Sequence, residues 1–185
     1  MSLRWLTLGA VAAALIQTAI LAWMIADRAI RIQNGQEVLL QSDGVDPRDF
    51  FRGHYVRLNL TISDFPAADL TIDPEIKRGD TVYLELTELP DGFFAPVSVS
   101  RSLPENPSGP VIQGTSRFHA DNKGKRVRIG FPFTRYYAPR VRALELEDMN
   151  TERRLGIIVS LADDGSGIIT GLTLDGEKVY EEPLY

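Results

Sequence analysis

The sequence predicts a mainly β protein, an antiparallel β-sandwich or small barrel with one or two short helices, following a single N-terminal transmembrane helix. Three observations predict it. The stretch Trp5 to Ala26 runs for 22 residues without a charge, which suits a membrane helix. Beyond Gly35 the apolar residues recur at every second position, the period of a strand. Glycine-containing turns, Asp91-Gly92 and Asp175-Gly176 among them, separate those runs, as in hairpins. At 185 residues the chain has room for one domain of ordinary size. We place the boundary between 1–35, a short cytoplasmic tail with a signal-anchor helix, and 36–185, an exported β-rich domain.

The apolar run, bounded by Arg4 and Asp27, makes a helix of roughly 33 Å, enough for a hydrocarbon core of ~30 Å. Trp5 and Trp23 stand near its ends, where indole rings favour the interface. A cleaved signal peptide has an apolar region of about 7–15 residues, and Met24 is too large for the −3 position of a cut after Ala26. The expectation is therefore an uncleaved anchor. Arg4 flanks one end and Asp27, Arg28 and Arg31 the other, so loop charge gives little orientation bias; a short cytoplasmic tail with the remainder exported is the simpler topology. Gly35 ends the helix.

The strands follow in order. Glu37–Ser42 is a short apolar strand. His54–Ile62 puts Val56, Leu58, Leu60 and Ile62 on one face, and Thr81–Glu88 does the same with Val82, Leu84 and Leu86. Pro90-Asp91-Gly92 turns the chain into Phe93–Val99, where Pro96 demands an edge or a bulge. Val111–Phe118 and Arg126–Phe131 flank an Asp121–Gly124 turn, Leu155–Leu161 and Ile168–Leu174 flank the Asp163–Gly167 loop, and Asp175-Gly176 makes a last tight hairpin. Asp46 as N-cap with Pro47 behind it starts one or two helical turns ending near Gly53, and 139–150 holds either a helix or a strand. Arg52-Gly53 and Arg78-Gly79 each lead into a strand, an echo that shared turn chemistry accounts for. The Arg78-Gly79-Asp80 tripeptide is read as a turn.

Composition removes several chemistries. With no cysteine and only two histidines, His54 and His119, thiolate metal sites, cysteine nucleophiles and His-rich zinc or iron sites are set aside, and no metal is expected. A net charge of −5 argues against nucleic acid. No glycine-rich phosphate loop is present, so no cofactor is expected. The densest polar constellation is Asp46, Arg48, Asp49, Arg52, His54, Tyr55 and Arg57: arginine grips carboxylate or phosphate bidentately, and a paired aspartate orients it. These residues are the candidate binding site for an anionic ligand, a lipid headgroup or a partner's carboxylate, the plainer alternative being a capped turn whose charges pair locally. A second feature is charge asymmetry. Arg117 to Arg142 holds eight Lys or Arg and one acid, with Phe131, Phe133, Tyr136 and Tyr137 interleaved, whereas Glu145 to Tyr185 carries ten acids and three bases. Either the basic face meets anionic lipid, or alternate positions are solvated while the aromatics pack inside; the second reading is preferred.

A catalytic set is not assembled. Asp163 and Asp164 are adjacent loop carboxylates, and neither histidine has a nucleophile-elbow context. The Lys77-Arg78-Gly79-Asp80 turn and the following strand resemble type I signal peptidases, but Ser42 is followed by Asp43 rather than Met, and Lys77, Lys123, Lys125 and Lys178 lie in no recognisable box. No catalytic residue is nominated.

The segment Asp46-Pro47-Arg48-Asp49, followed by Gly53, Tyr55 and Leu58, resembles the GDYXXLXY family of bacterial membrane-anchored proteins, with His54 in place of the motif's aspartate and Leu60 in place of its final tyrosine. Tyr136-Tyr137-Ala138-Pro139 with Glu145 and Glu147, Gly171-Leu172 and Asp175-Gly176 are similar to further family features. The resemblance covers most of 1–176. It implies a membrane-tethered domain of uncharacterised activity, often encoded beside a polytopic membrane protein. The expected function is thus a non-enzymatic, single-pass envelope protein whose periplasmic or extracytoplasmic domain binds such a partner. The alternative is a module sensing an anionic ligand or lipid headgroup, and a membrane-tethered hydrolase is the third reading.

Overall fold

A computed structural model describes residues 3–46, 55–67, 70–119, 126–133, 135–137 and 155–181. Helix α1 (Leu3–Asn34) leads into twelve strands: β1 (Gln36–Asp46), β2 (Tyr55–Leu60), β3 (Asp64–Pro66), β4 (Thr71–Ile72), β5 (Thr81–Glu88), β6 (Phe94–Ser100), β7 (Val111–Ser116), β8 (Arg126–Gly130), β9 (Arg135–Tyr137), β10 (Leu155–Leu161), β11 (Gly167–Leu174) and β12 (Glu177–Glu181). They form two six-stranded sheets, ordered β12-β11-β10-β1-β2-β9 and β3-β8-β7-β5-β6-β4. All neighbours run antiparallel except β4, which lies parallel to β6 through Thr71 and Ile72. The mainly β expectation is met.

One apolar cluster fills the space between the sheets. Val38, Leu40, Leu60, Leu155, Ile157 and Leu172 come from the first sheet, and Val82, Leu84, Leu86, Ile112, Val127 and Ile129 from the second. Alternation explains the selection: every second residue of a strand points to the same face, so Val82, Leu84 and Leu86 are buried as read from the sequence. Full burial of a side chain of this size contributes about 1.5–3 kcal/mol. Among the described residues the members of the cluster all lie between Val38 and Leu174, with none from α1.

Helix α1 is long and apolar enough to cross a bilayer over Thr7–Asn34, with none of that apolar stretch buried. Among the described residues its C-terminal end meets the first sheet. On β10 the core side chains Leu155, Ile157, Val159 and Leu161 alternate with Gly156, Ile158 and Ser160 on the opposite face, and the Ser160 hydroxyl donates to the carbonyl of Ile32 (3.4 Å). The helix terminus, whose last carbonyls lack intrahelical donors, is thereby fastened to the centre of a sheet.

Several boundaries differ from the sequence expectation. Strand β1 continues past Ser42 to Asp46 across an irregularity between Ser42 and Val45, which makes Asp46 the end of a strand opposite Arg57 rather than a described helix cap. Strand β2 stops at Leu60, and Thr61–Ser63 forms a single 3-10 turn that carries the chain from one sheet to the other. Ile62 is buried in that corner (1% exposed) while the Thr61 hydroxyl donates to the Gln41 carbonyl (3.2 Å). The helical turns expected over 46–53, apart from Asp46, and the helix or strand expected over 139–150 lie outside the described residues. Pro96 sits opposite Leu86 at a register shift in the β5–β6 ladder, the bulge its missing N–H requires. Strands β3, β4 and β9 were not foreseen.

Candidate functional site

Of the seven candidate binding residues, Asp46, Tyr55 and Arg57 have described backbone positions; Arg48, Asp49, Arg52 and His54, with the motif glycine Gly53, lie outside the described residues. The register brings together what sequence separates. Arg57 stands opposite Asp46 on β1 and opposite Arg135 on β9. Tyr55 pairs with Tyr137 and Val56 with Tyr136, so the two aromatic segments singled out in the sequence are neighbours on adjacent strands. Leu58 pairs with Val45, and Leu60, in the place of a tyrosine, is a core residue (3% exposed). This end of the sheet lies far from α1: from Gln36 to Asp46 the strand spans ten residue steps, about 33 Å at strand rise.

The basic segment resolves into an alternating pattern. Arg117, Arg126 and Arg128 are exposed while Phe118 and Phe131 are buried, and Phe131 stacks on Phe133 with ring centroids 5.5 Å apart. The solvated-positions reading therefore describes this hairpin. Its counter-charge is Asp64 on β3, which accepts from Arg126 Nε (2.5 Å) and Arg128 Nε (3.3 Å). The hydrogen bond from Arg126 is the main reason its carboxyl sits below the ordinary value. Among the described residues no acid from the C-terminal segment pairs with these arginines.

The Arg78-Gly79-Asp80 tripeptide is a turn. Gly79 holds φ +98° and donates its N–H to the Ser116 carbonyl (2.8 Å), Asp80 accepts at its own carbonyl from Ser116 N–H (2.9 Å), and the Asp80 carboxylate takes the Lys77 N–H (2.9 Å). In the Asp163–Gly167 loop Asp164 is likewise structural, accepting from Ser166 N–H (2.9 Å). Ser42 is buried and directs its hydroxyl to the Asn59 carbonyl (3.3 Å), while Lys77 is exposed in the turn before β5.

Two concavities escaped sequence reasoning. A cleft of about 580 Å³ opens where α1 meets β1, between Asn34–Gln36, the proline-containing loop Leu103–Pro110 and Ala162-Asp163. A notch of about 460 Å³ lies on the second sheet, lined by Thr81, Gln113, Thr115, Arg117 and Phe131. No sequence signal marks the notch, which is assembled by three strands in register.

An exposed apolar helix leading into the middle of a two-sheet β-domain defines a class, that of a compact β-domain borne on one long apolar segment. The chain belongs to the GDYXXLXY family: the family model, described as GDYXXLXY protein, matches residues 17–172, from inside α1 to β11. No curated protein matches it, and neither does any solved structure.

Proposed function

We propose that the protein is a single-pass, non-enzymatic envelope component whose extracytoplasmic β-domain binds another membrane protein, a polytopic one, through the Asp46–Arg57 end of its first sheet. The observation that supports this most is the union of two properties in one sheet. Its central strand β1 starts at an exposed apolar helix and ends at a register row of Asp46, Arg57 and Arg135, with Tyr55 beside Tyr137. Arginine and tyrosine are the residues that interfaces favour. Because that row stands about 33 Å along the strand from the helix, the partner meets it with an extramembrane loop or domain, while α1 is free to pack on the partner's helices.

The lipid-headgroup alternative draws less support from the geometry. Val111, at the start of β7, lines the cleft beside α1, and Arg117 lies six residues further along, about 20 Å away at strand rise. Headgroup fields fall off within a Debye length of about 8 Å.

The test is gentle solubilisation of native membranes and purification of the tagged full-length chain. A polytopic protein co-purifies in stoichiometric amount, and Arg57→Ala or Asp46→Ala reduces its recovery at least tenfold while the unfolding temperature of the purified protein is unchanged. Undiminished recovery with both variants would remove this end of the sheet as the contact, and isolation of the chain alone would remove the subunit reading.

A further inference from the structure

The notch on the second sheet has no role in that reading, and its construction is specific. On the face of the sheet turned away from the core, Thr81 on β5 stands opposite Thr115 on β7, and Thr115 opposite Gly130 on β8. Three adjacent strands thus place small residues side by side, which opens the depression. The guanidinium lies directly over Gly130: a Cβ at this position would come within 2.7 Å of Arg117 Nε, 2.8 Å of Nη2 and 3.0 Å of Cζ. Arg126 and Arg128 both hold Asp64, whereas among the described residues no carboxylate pairs with Arg117. Its planar donor fork borders a space that also offers the Thr81 and Thr115 hydroxyls and the Gln113 carboxamide. The exposed Pro132 supplies an apolar edge, while the ring of Phe131 beside it is turned into the core.

We infer that this notch binds a small organic carboxylate, with Arg117 gripping the carboxylate and the organic body lying against Pro132. A single guanidinium among neutral donors, with no acid in the lining, suits a monoanion, since fork-to-fork pairing of arginine with carboxylate gives two parallel charge-assisted bonds. The volume of about 460 Å³ falls within the roughly 300–1,000 Å³ typical of small-molecule sites. The Arg117 guanidinium belongs to a residue six positions beyond Val111 of the cleft beside α1, about 20 Å at strand rise, which favours a soluble acid over a lipid headgroup. The inference is independent of partner docking at the Asp46–Arg57 end.

Sodium benzoate is the probe, titrated against the full-length protein in phosphatidylcholine nanodiscs and followed by saturation-transfer NMR and calorimetry. Saturable binding is expected, with benzyl alcohol silent. Arg117→Gln weakens it at least tenfold, Arg117→Lys by a smaller factor because the charge stays and the fork is lost, and Arg126→Gln leaves it unchanged. Unfolding curves of each variant verify the fold, which an exposed arginine does not govern. Benzoate binding that is absent, that survives Arg117→Gln, or that falls equally with Arg126→Gln overturns the site. Inorganic phosphate binding more tightly than benzoate overturns the carboxylate assignment.

Discussion

Asp64 shows how a short strand is held by charge. Arg126 donates from Nε to its carboxylate and from Nη2 to its carbonyl (2.8 Å), and Arg128 reaches the second carboxylate oxygen, so one residue of β3 fastens two of β8. The lowered pKa means that the folded chain binds this proton less readily than the unfolded chain. The stabilisation is complete above the ordinary value of 3.8 and is lost as pH falls through the lowered folded value. Since the carboxylate is 42% exposed, solvent screening limits the pair to about 1 kcal/mol or less. Asp64→Asn is expected to lower stability by no more than that at pH 7 and to flatten the acid limb below 3.8, as measured by denaturant unfolding at a series of pH values. None of this was legible in the sequence, where Asp64 sits 62 residues from Arg126 and nothing marks it as a strand residue.

At the scale of elements, turn chemistry is the most readable part of the chain. Asp175 and Gly176 both have positive φ, 51° and 87°, the conformation of a two-residue hairpin that Asp-Gly favours. Replacing Gly176 by alanine forces a Cβ into the left-handed region at a cost of about 1–2 kcal/mol, and thermal unfolding should register a loss of that size; no neighbouring atom lies within 4 Å, so the effect is conformational rather than steric. The long strands were legible for a related reason, because one face of each meets the core and the other does not, which writes alternation into β5, β7 and β8. Ile62 deceived that reading. It continues the apolar series Val56, Leu58, Leu60, yet it reaches the same core from a 3-10 corner, and period-two counting does not distinguish a strand from a turn that buries the next apolar residue. Strands of two or three residues, β3, β4 and β9, are too short to show any period. The Asp46–Arg57 segment was legible as a motif, but its alignment with Arg135 and Tyr137 was not, because register between distant strands leaves no local trace. The notch around Arg117 was hidden twice over, since it depends on such a register and on the absence of side chains at Gly130.

For the whole molecule, the separation between α1 and the core sets the expected behaviour. Among the described residues the domain's apolar cluster contains none from α1, so residues 36–185 are expected to be soluble and to unfold in one cooperative transition, and the full-length chain is expected to stay with the membrane on alkaline extraction. A fragment that unfolds without cooperativity would show that the helix contributes to the core after all. The point of attachment has a mechanical meaning. β1 is a central strand, with seven residues from Gln36 to Ser42 registered against β10 and β2 on its other side. Tension applied through α1 runs along β1, so the ladder hydrogen bonds flanking it are strained together in shear instead of opening one after another as at a peeled edge. Force entering through α1 is therefore transmitted to the domain as a unit, and a pull on the far end of the sheet is opposed by the whole ladder before the domain yields.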